Sequence, residues 1–105
     1  MIAESQSLSI IKTVSGQIFP GCKVILFGSR ARKDHKSYSD FDILLIVDQV
    51  LAPAEKIPFR SKIRKELLKY RILADILIQS NEEVEVKRQL TGHIVKTIMR
   101  EGIVV

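Results

Sequence analysis

Between residues 4 and 18, apolar side chains recur at Leu8, Ile11, Val14 and Ile18, a spacing of three and four that predicts an amphipathic helix. Ser5 and Ser7 are its candidate caps, and Pro20-Gly21 ends it. Cys22–Phe27 (CKVILF) is a short continuous apolar run closed by Gly28, the pattern of a buried strand. Residues 28–40 (GSRARKDHKSYSD) are polar and mostly charged, so a loop is expected there, with room for one helical turn after Ser29. Phe41–Val47 (FDILLIV) is a second buried strand. Pro53 and Pro58 mark a break, after which Ile63, Leu67, Leu68 and Tyr70/Arg71 support a helix to about residue 71. Ile72–Ile78 (ILADILI) is a third strand. Ser80 or Asn81, followed by Glu82 and Glu83, reads as a cap and an acidic first turn. The helix it opens runs to about Glu101, is interrupted at Gly92 and is ended by Gly102, and Ile103–Val105 is a short terminal strand. The order α-β-β-α-β-α-(β) implies an α/β or α+β layer fold, with helices packed on a small sheet.

The chain has 105 residues, of which 46% are apolar and 28% charged, the balance of one globular domain spanning residues 1–105. No apolar run approaches the ~20 residues needed to cross a bilayer, and the first sixteen residues lack the basic-then-apolar pattern of a secretory signal. A cytoplasmic protein without a membrane partner is therefore expected. A single cysteine, Cys22, excludes an internal disulfide framework and a cysteine-based zinc cluster, and reads as a packed, inert thiol. His35 and His93 lie too far apart in sequence to suggest a zinc site.

The net charge is +5, and seven basic residues against two acidic ones between Glu55 and Arg71 account for all of it. Such a segment is either a solvated helix face or a docking surface for RNA or an acidic partner. Only Tyr38 among the aromatics lies in an obviously exposed stretch, which disfavours dedicated single-strand binding. Ile94, Ile98, Val104 and Val105 are apolar enough to serve as core, or as a contact with a second copy or a partner.

The densest chemical signal is Gly28-Ser29, ten residues, then Asp40-Phe41-Asp42. By chance such a pattern should start in roughly one in a thousand chains of this length. Asp40 and Asp42 stand at the mouth of an apolar strand, where residues i and i+2 share a face. Two like charges converging beside a core repel each other, and a hard divalent cation resolves the conflict. Gly28 allows a tight turn with free amides facing an anion, and Ser29 adds a hydroxyl donor. Arg30, Arg32, Lys33 and Lys36 surround that turn with positive charge. A phosphate cradle facing a metal-binding carboxylate pair is equipment for chemistry on a nucleoside triphosphate. Asp75, inside the third strand, can join the pair if that strand neighbours 41–47; an edge-strand charge or a partner for Arg71 is the plainer alternative. His35 is expected on the surface, and Tyr38 either lines the nucleotide pocket or is an ordinary loop residue.

At G-S-R-A-R and S-D-F-D the chain resembles the nucleotidyltransferase superfamily that includes DNA polymerase beta, and in particular its minimal single-domain nucleotidyltransferases. The resemblance implies a small mixed sheet with helices packed against it, and Mg²⁺-dependent transfer of NMP, expected to be AMP from ATP, to a hydroxyl with release of pyrophosphate. It implies that Gly28 and Ser29, with Arg30 and Arg32 beside them, hold the nucleotide. Asp40 and Asp42 would bind two metal ions (Mg²⁺, with Mn²⁺ an alternative), and Asp75 would complete the second metal site and help deprotonate the acceptor. Lys33 departs from the pattern, since the family commonly has a small residue there, often Gly. Minimal members often act as antitoxins to a small helical HEPN-type toxin, and some add AMP to a toxin tyrosine. The alternatives are an antitoxin that neutralises its partner by occlusion, and transfer to a small molecule or an RNA end.

Overall fold

The computed structural model describes residues 3–36 and 39–105. Helix α1 (Glu4–Ile18) has the expected bounds. It buries Ser7, Ile11, Val14 and Ser15 along one stripe. Its cap is not one of the expected serines: Ala3 is the N-cap, its amide donates to the Gln6 side chain at 3.0 Å, and Ser7 lies inside the helix. Ser5 is already helical and exposed, so neither hydroxyl sits where the first free amides need it.

Strand β1 (Lys23–Phe27) and the short helix α2 (Gly28–Arg32) follow, then β2 (Phe41–Val47). Helix α3 (Pro53–Leu68) starts at Pro53, where the missing N–H costs nothing. The expected break is thus a helix start, and Pro58 lies inside the helix. Its buried positions Lys56, Ile63 and Leu67 form a helical stripe. Strand β3 is Ala74–Ser80, two residues later than the pattern suggested. The reason is the exit from α3. Arg71 adopts the left-handed conformation (φ 58°), and the Ile72 amide bonds back to the Leu67 carbonyl at 3.1 Å. Ile72 therefore closes a helix rather than opening a strand. The last helical region divides at the Gly92 turn into α4 (Asn81–Lys87) and α5 (Ile94–Glu101). Ser80 caps α4 in a reciprocal pair with Glu83. His93 precedes α5 and caps it, its Nδ1 accepting the Val95 amide at 3.1 Å. Strand β4 (Ile103–Val104) ends the chain.

The strands form one mixed sheet in the order β3-β2-β1-β4. β2 and β3 are parallel, joined by α3, and β1 runs antiparallel to β2 and to β4. Strand alternation sorts the side chains into two layers. Val24, Leu26, Phe41, Ile43, Leu45, Val47, Ile76 and Ile78 pack under α1 and α3. Ile25, Leu44 and Ile46 pack under Val84, Val95 and Ile98 of α4 and α5. Each fully buried Leu or Ile here contributes roughly 1.5–3 kcal/mol through removal from water. At Gly102 a Cβ would collide with Ile25, so glycine lets α5 turn tightly onto β1. Ile98 is therefore core, Val105 packs at the core's edge, and Ile94, Ile103 and Val104 stay exposed. Lys56, counted within the basic face, is instead buried and paired with Glu83 at 2.9 Å. Among the described residues no helix is long and apolar enough to cross a membrane.

Candidate active site

One end of the sheet collects the chemistry. β1 ends at Phe27, which pairs with Asp42 across the antiparallel ladder. On its other side Asp42 pairs with Asp75 across the parallel ladder. Phe27, Asp42 and Asp75 thus lie in one row across three neighbouring strands, on the face covered farther along by α4 and α5, and Gly28 follows Phe27 directly, against the Asp42 side chain. Asp40 lies just before β2 and is exposed, as is Asp75.

Gly28 is required twice over. Its φ is +72°, in the region that disfavours every side chain. A Cβ there would also fall inside the Asp42 carboxylate. The turn and the carboxylate are therefore in direct contact. Burial pushes the Asp42 carboxyl above its ordinary value, and the charges of Asp75 and Asp40 push it further, with Arg32 opposing them. The only cation acting on Asp42 among these causes is Arg32. Among the described residues no three carboxylate, imidazole or thiol groups are already gathered tightly enough to hold an ion. The donor set is nevertheless the hard, oxygen-only set that divalent Mg²⁺ or Mn²⁺ favours, with a partly buried member destabilised by like charge. These residues fit such an ion.

The two arginines of the turn separate. At 3.6 residues per turn, positions two apart on α2 point to nearly opposite sides. Arg32 remains exposed, in reach of Asp34 at 3.2 Å and of the field at Asp42. Arg30 goes the other way, into the structure. It is 9% exposed, its Nη1 donates to Glu4 Oε1 at 3.1 Å, and its Nε and Nη2 donate to the Ser39 carbonyl at 3.0 and 2.7 Å. Its guanidinium also lies 4.0 Å from the centre of the Phe41 ring, a core side chain of the α1/α3 layer. Arg30, expected beside the nucleotide, thus has donors engaged with Glu4 and Ser39. Only the helical phase of α2 distinguishes it from Arg32, and a five-residue helix leaves almost no trace in a polar sequence.

Ser29 is half-buried at the start of α2. Lys33 closes α2 in the left-handed conformation (φ 62°), which explains why a small residue suits this position. His35 is neither at the carboxylates nor fully exposed, lying 3.6 Å from Glu4 Oε1. Tyr38 lies outside the described residues. Cys22 packs at the core's edge, where burial raises its thiol, in keeping with an inert role.

Residues 8–105 match the family described as nucleotidyltransferase domain. The chain belongs to that family. This nucleotidyltransferase domain is also 40% identical, over 48 residues, to the probable protein adenylyltransferase MntA of Haemophilus influenzae. That match spans 46% of this chain and 42% of the relative. By structure, the domain resembles a chain in a rebuilt and re-refined solved structure of tri-AMPylated Shewanella oneidensis HEPN toxin in complex with MNT antitoxin. The TM-score is 0.58 at 16% identity, over 97% of this domain and 71% of the matched chain, a likeness of fold. The expected nucleotidyltransferase fold, an α+β arrangement with a small mixed sheet, is therefore present.

Proposed function

We propose that this domain transfers AMP from ATP to a hydroxyl of a partner protein, a tyrosine of a HEPN-type toxin, and so acts as an antitoxin. The observation that carries the reading is the contact of the Gly28 turn with the Asp42 carboxylate, beside which Asp75 stands in register on the next strand. The partly matching MntA relative supports protein as the acceptor class, and the fold neighbour supports a HEPN-type partner.

Asp40, Asp42 and Asp75 would hold Mg²⁺, which when bound supplies the positive charge that draws the triphosphate in and offsets charge built up during transfer. The Gly28 and Ser29 amides and the Ser29 hydroxyl orient the outer phosphates. Arg32 adds positive charge at the rim, where it already acts on Asp42. Asp75, exposed on the outer strand, is the carboxylate open to an incoming acceptor, and its Oδ takes the hydroxyl proton. The acceptor oxygen then bonds to the α-phosphorus, the α–β bridge breaks, and pyrophosphate leaves.

The test is intact-protein mass spectrometry of a HEPN-type partner co-expressed with this chain and supplied with ATP and Mg²⁺. A partner heavier by one or more AMP units with wild type, and unmodified with Asp40→Asn/Asp42→Asn, is the expected result. An unmodified partner that is still bound and neutralised would replace this reading with occlusion.

A further inference from the structure

We infer that Arg30 is a positioning residue that sets Asp40 against the Gly28-Ser29 turn, an inference that rests on the proposed nucleotidyl transfer. The three carboxylates are not held equally. Asp42 has ladder partners on both sides, Phe27 and Asp75, and Asp75 lies within β3. Asp40 has neither support, because the first register pair of β2 is Phe41 with Ala74. It emerges from a polar connection and is exposed.

Arg30 grips the residues on both sides of it. Two of its nitrogens converge on the Ser39 carbonyl at 3.0 and 2.7 Å, and its plane lies over the Phe41 ring at 4.0 Å. Its third arm reaches Glu4 on α1 at 3.1 Å. Arg30 belongs to the same helix as Gly28 and Ser29. The guanidinium therefore ties the nucleotide turn to the backbone around the first carboxylate, and Glu4 anchors that tie to the rest of the molecule. Only a planar fork can bond one carbonyl twice, reach a carboxylate and stack on a ring together; a lysine ammonium cannot. The arrangement resembles the outer partners that orient metal ligands in other sites.

The experiment follows Mn²⁺ binding by electron paramagnetic resonance in the presence of a non-hydrolysable ATP analogue, with amide hydrogen exchange at Ser39, Asp40 and Phe41 as a second readout. For Arg30→Lys we expect Mn²⁺ affinity to fall by about tenfold or more, and exchange at these three amides to quicken. In an Asp40→Asn background the same substitution should add no further loss, because Arg30 acts through Asp40. Unchanged affinity and exchange in Arg30→Lys, or fully additive losses, would overturn the inference. If Arg30→Lys does not fold, Glu4→Gln carries the test, since Glu4 is exposed and its loss frees only one arm. A smaller fall in the same direction is expected, and no change would overturn it. Wild type that binds no Mn²⁺ with nucleotide would instead overturn the proposed function, and this inference with it.

Discussion

The Asp42 carboxylate rests directly on the Cα of Gly28, with no room between them for a methyl group. Gly28→Ala should therefore displace the carboxylate and force a left-handed alanine at φ +72°. A shift of about 1 Å in a reacting group commonly costs on the order of a hundredfold in rate. We expect a loss of AMP transfer of at least that size, with a drop in Tm of only a few degrees. Transfer within threefold of wild type would show that the turn does not set the carboxylate.

Asp42 also makes the site a cost to the fold. Its carboxyl is raised by burial, Asp75 and Asp40, so it protonates more readily folded than unfolded. Its favourable contribution is full below the ordinary value of 3.8 and is lost as the pH rises through the raised folded value. At neutral pH the ionised group destabilises. Asp42→Asn should thus raise Tm at pH 7 while removing activity, and the gain should shrink towards pH 3.5. Thermal melts at the two pH values check this, and equal gains at both would refute it.

Lys56 and Glu83 join α3 to α4 through a part-buried pair, with Nζ at 3.2 and 2.9 Å from the two carboxylate oxygens. Burial alone would raise the Glu83 carboxyl, but the Ser80 amide, the Lys56 hydrogen bond and charge, and Lys87 together bring it below its ordinary value. Its contribution is therefore full above the ordinary 4.5 and is lost as the pH falls through the lowered folded value. Glu83→Gln leaves a buried ammonium without its counter-charge and should cost about 3 kcal/mol. Lys56→Met should cost less, because Glu83 keeps the Ser80 amide and Lys87 at 3.5 Å. Urea titrations of both variants test the order, and the reverse order would contradict this account.

Lys33 ends α2 with φ 62°, where a side chain is strained by roughly 1 kcal/mol relative to glycine. Lys33→Gly should raise the unfolding free energy, and with it the urea midpoint, by a matching amount less the added flexibility of the unfolded chain. A lowered midpoint would mean that the lysine side chain contributes more than its backbone costs.

How far these features were legible varies with how local their cause is. The bounds of α1 and β2 follow from apolar spacing alone, and Gly28, Asp40, Asp42 and Asp75 stood out because charge and glycine interrupt apolar strands. The inward turn of Arg30 did not, because Arg30 and Arg32 look alike until a helical turn sends one inward. Lys56 looked like any surface lysine; its burial depends on Glu83, 27 residues away. The late start of β3 depends on a left-handed Arg71, a conformation with no signature in a residue that seldom adopts it.

The parallel pairing of β2 with β3 ties the site's integrity to the strand's alignment. Asp75 meets Asp42 only while Ile76 and Ile78 meet Ile43 and Leu45. Because alternate residues serve opposite layers, a slip of one position would carry Asp75 into the apolar layer beneath α1 and α3 and turn Ile76 towards the carboxylates. Misaligned molecules would thus lose core and carboxylate row in the same event. A chain that has assembled its interior has, by that act, also counted out the spacing of its acidic residues.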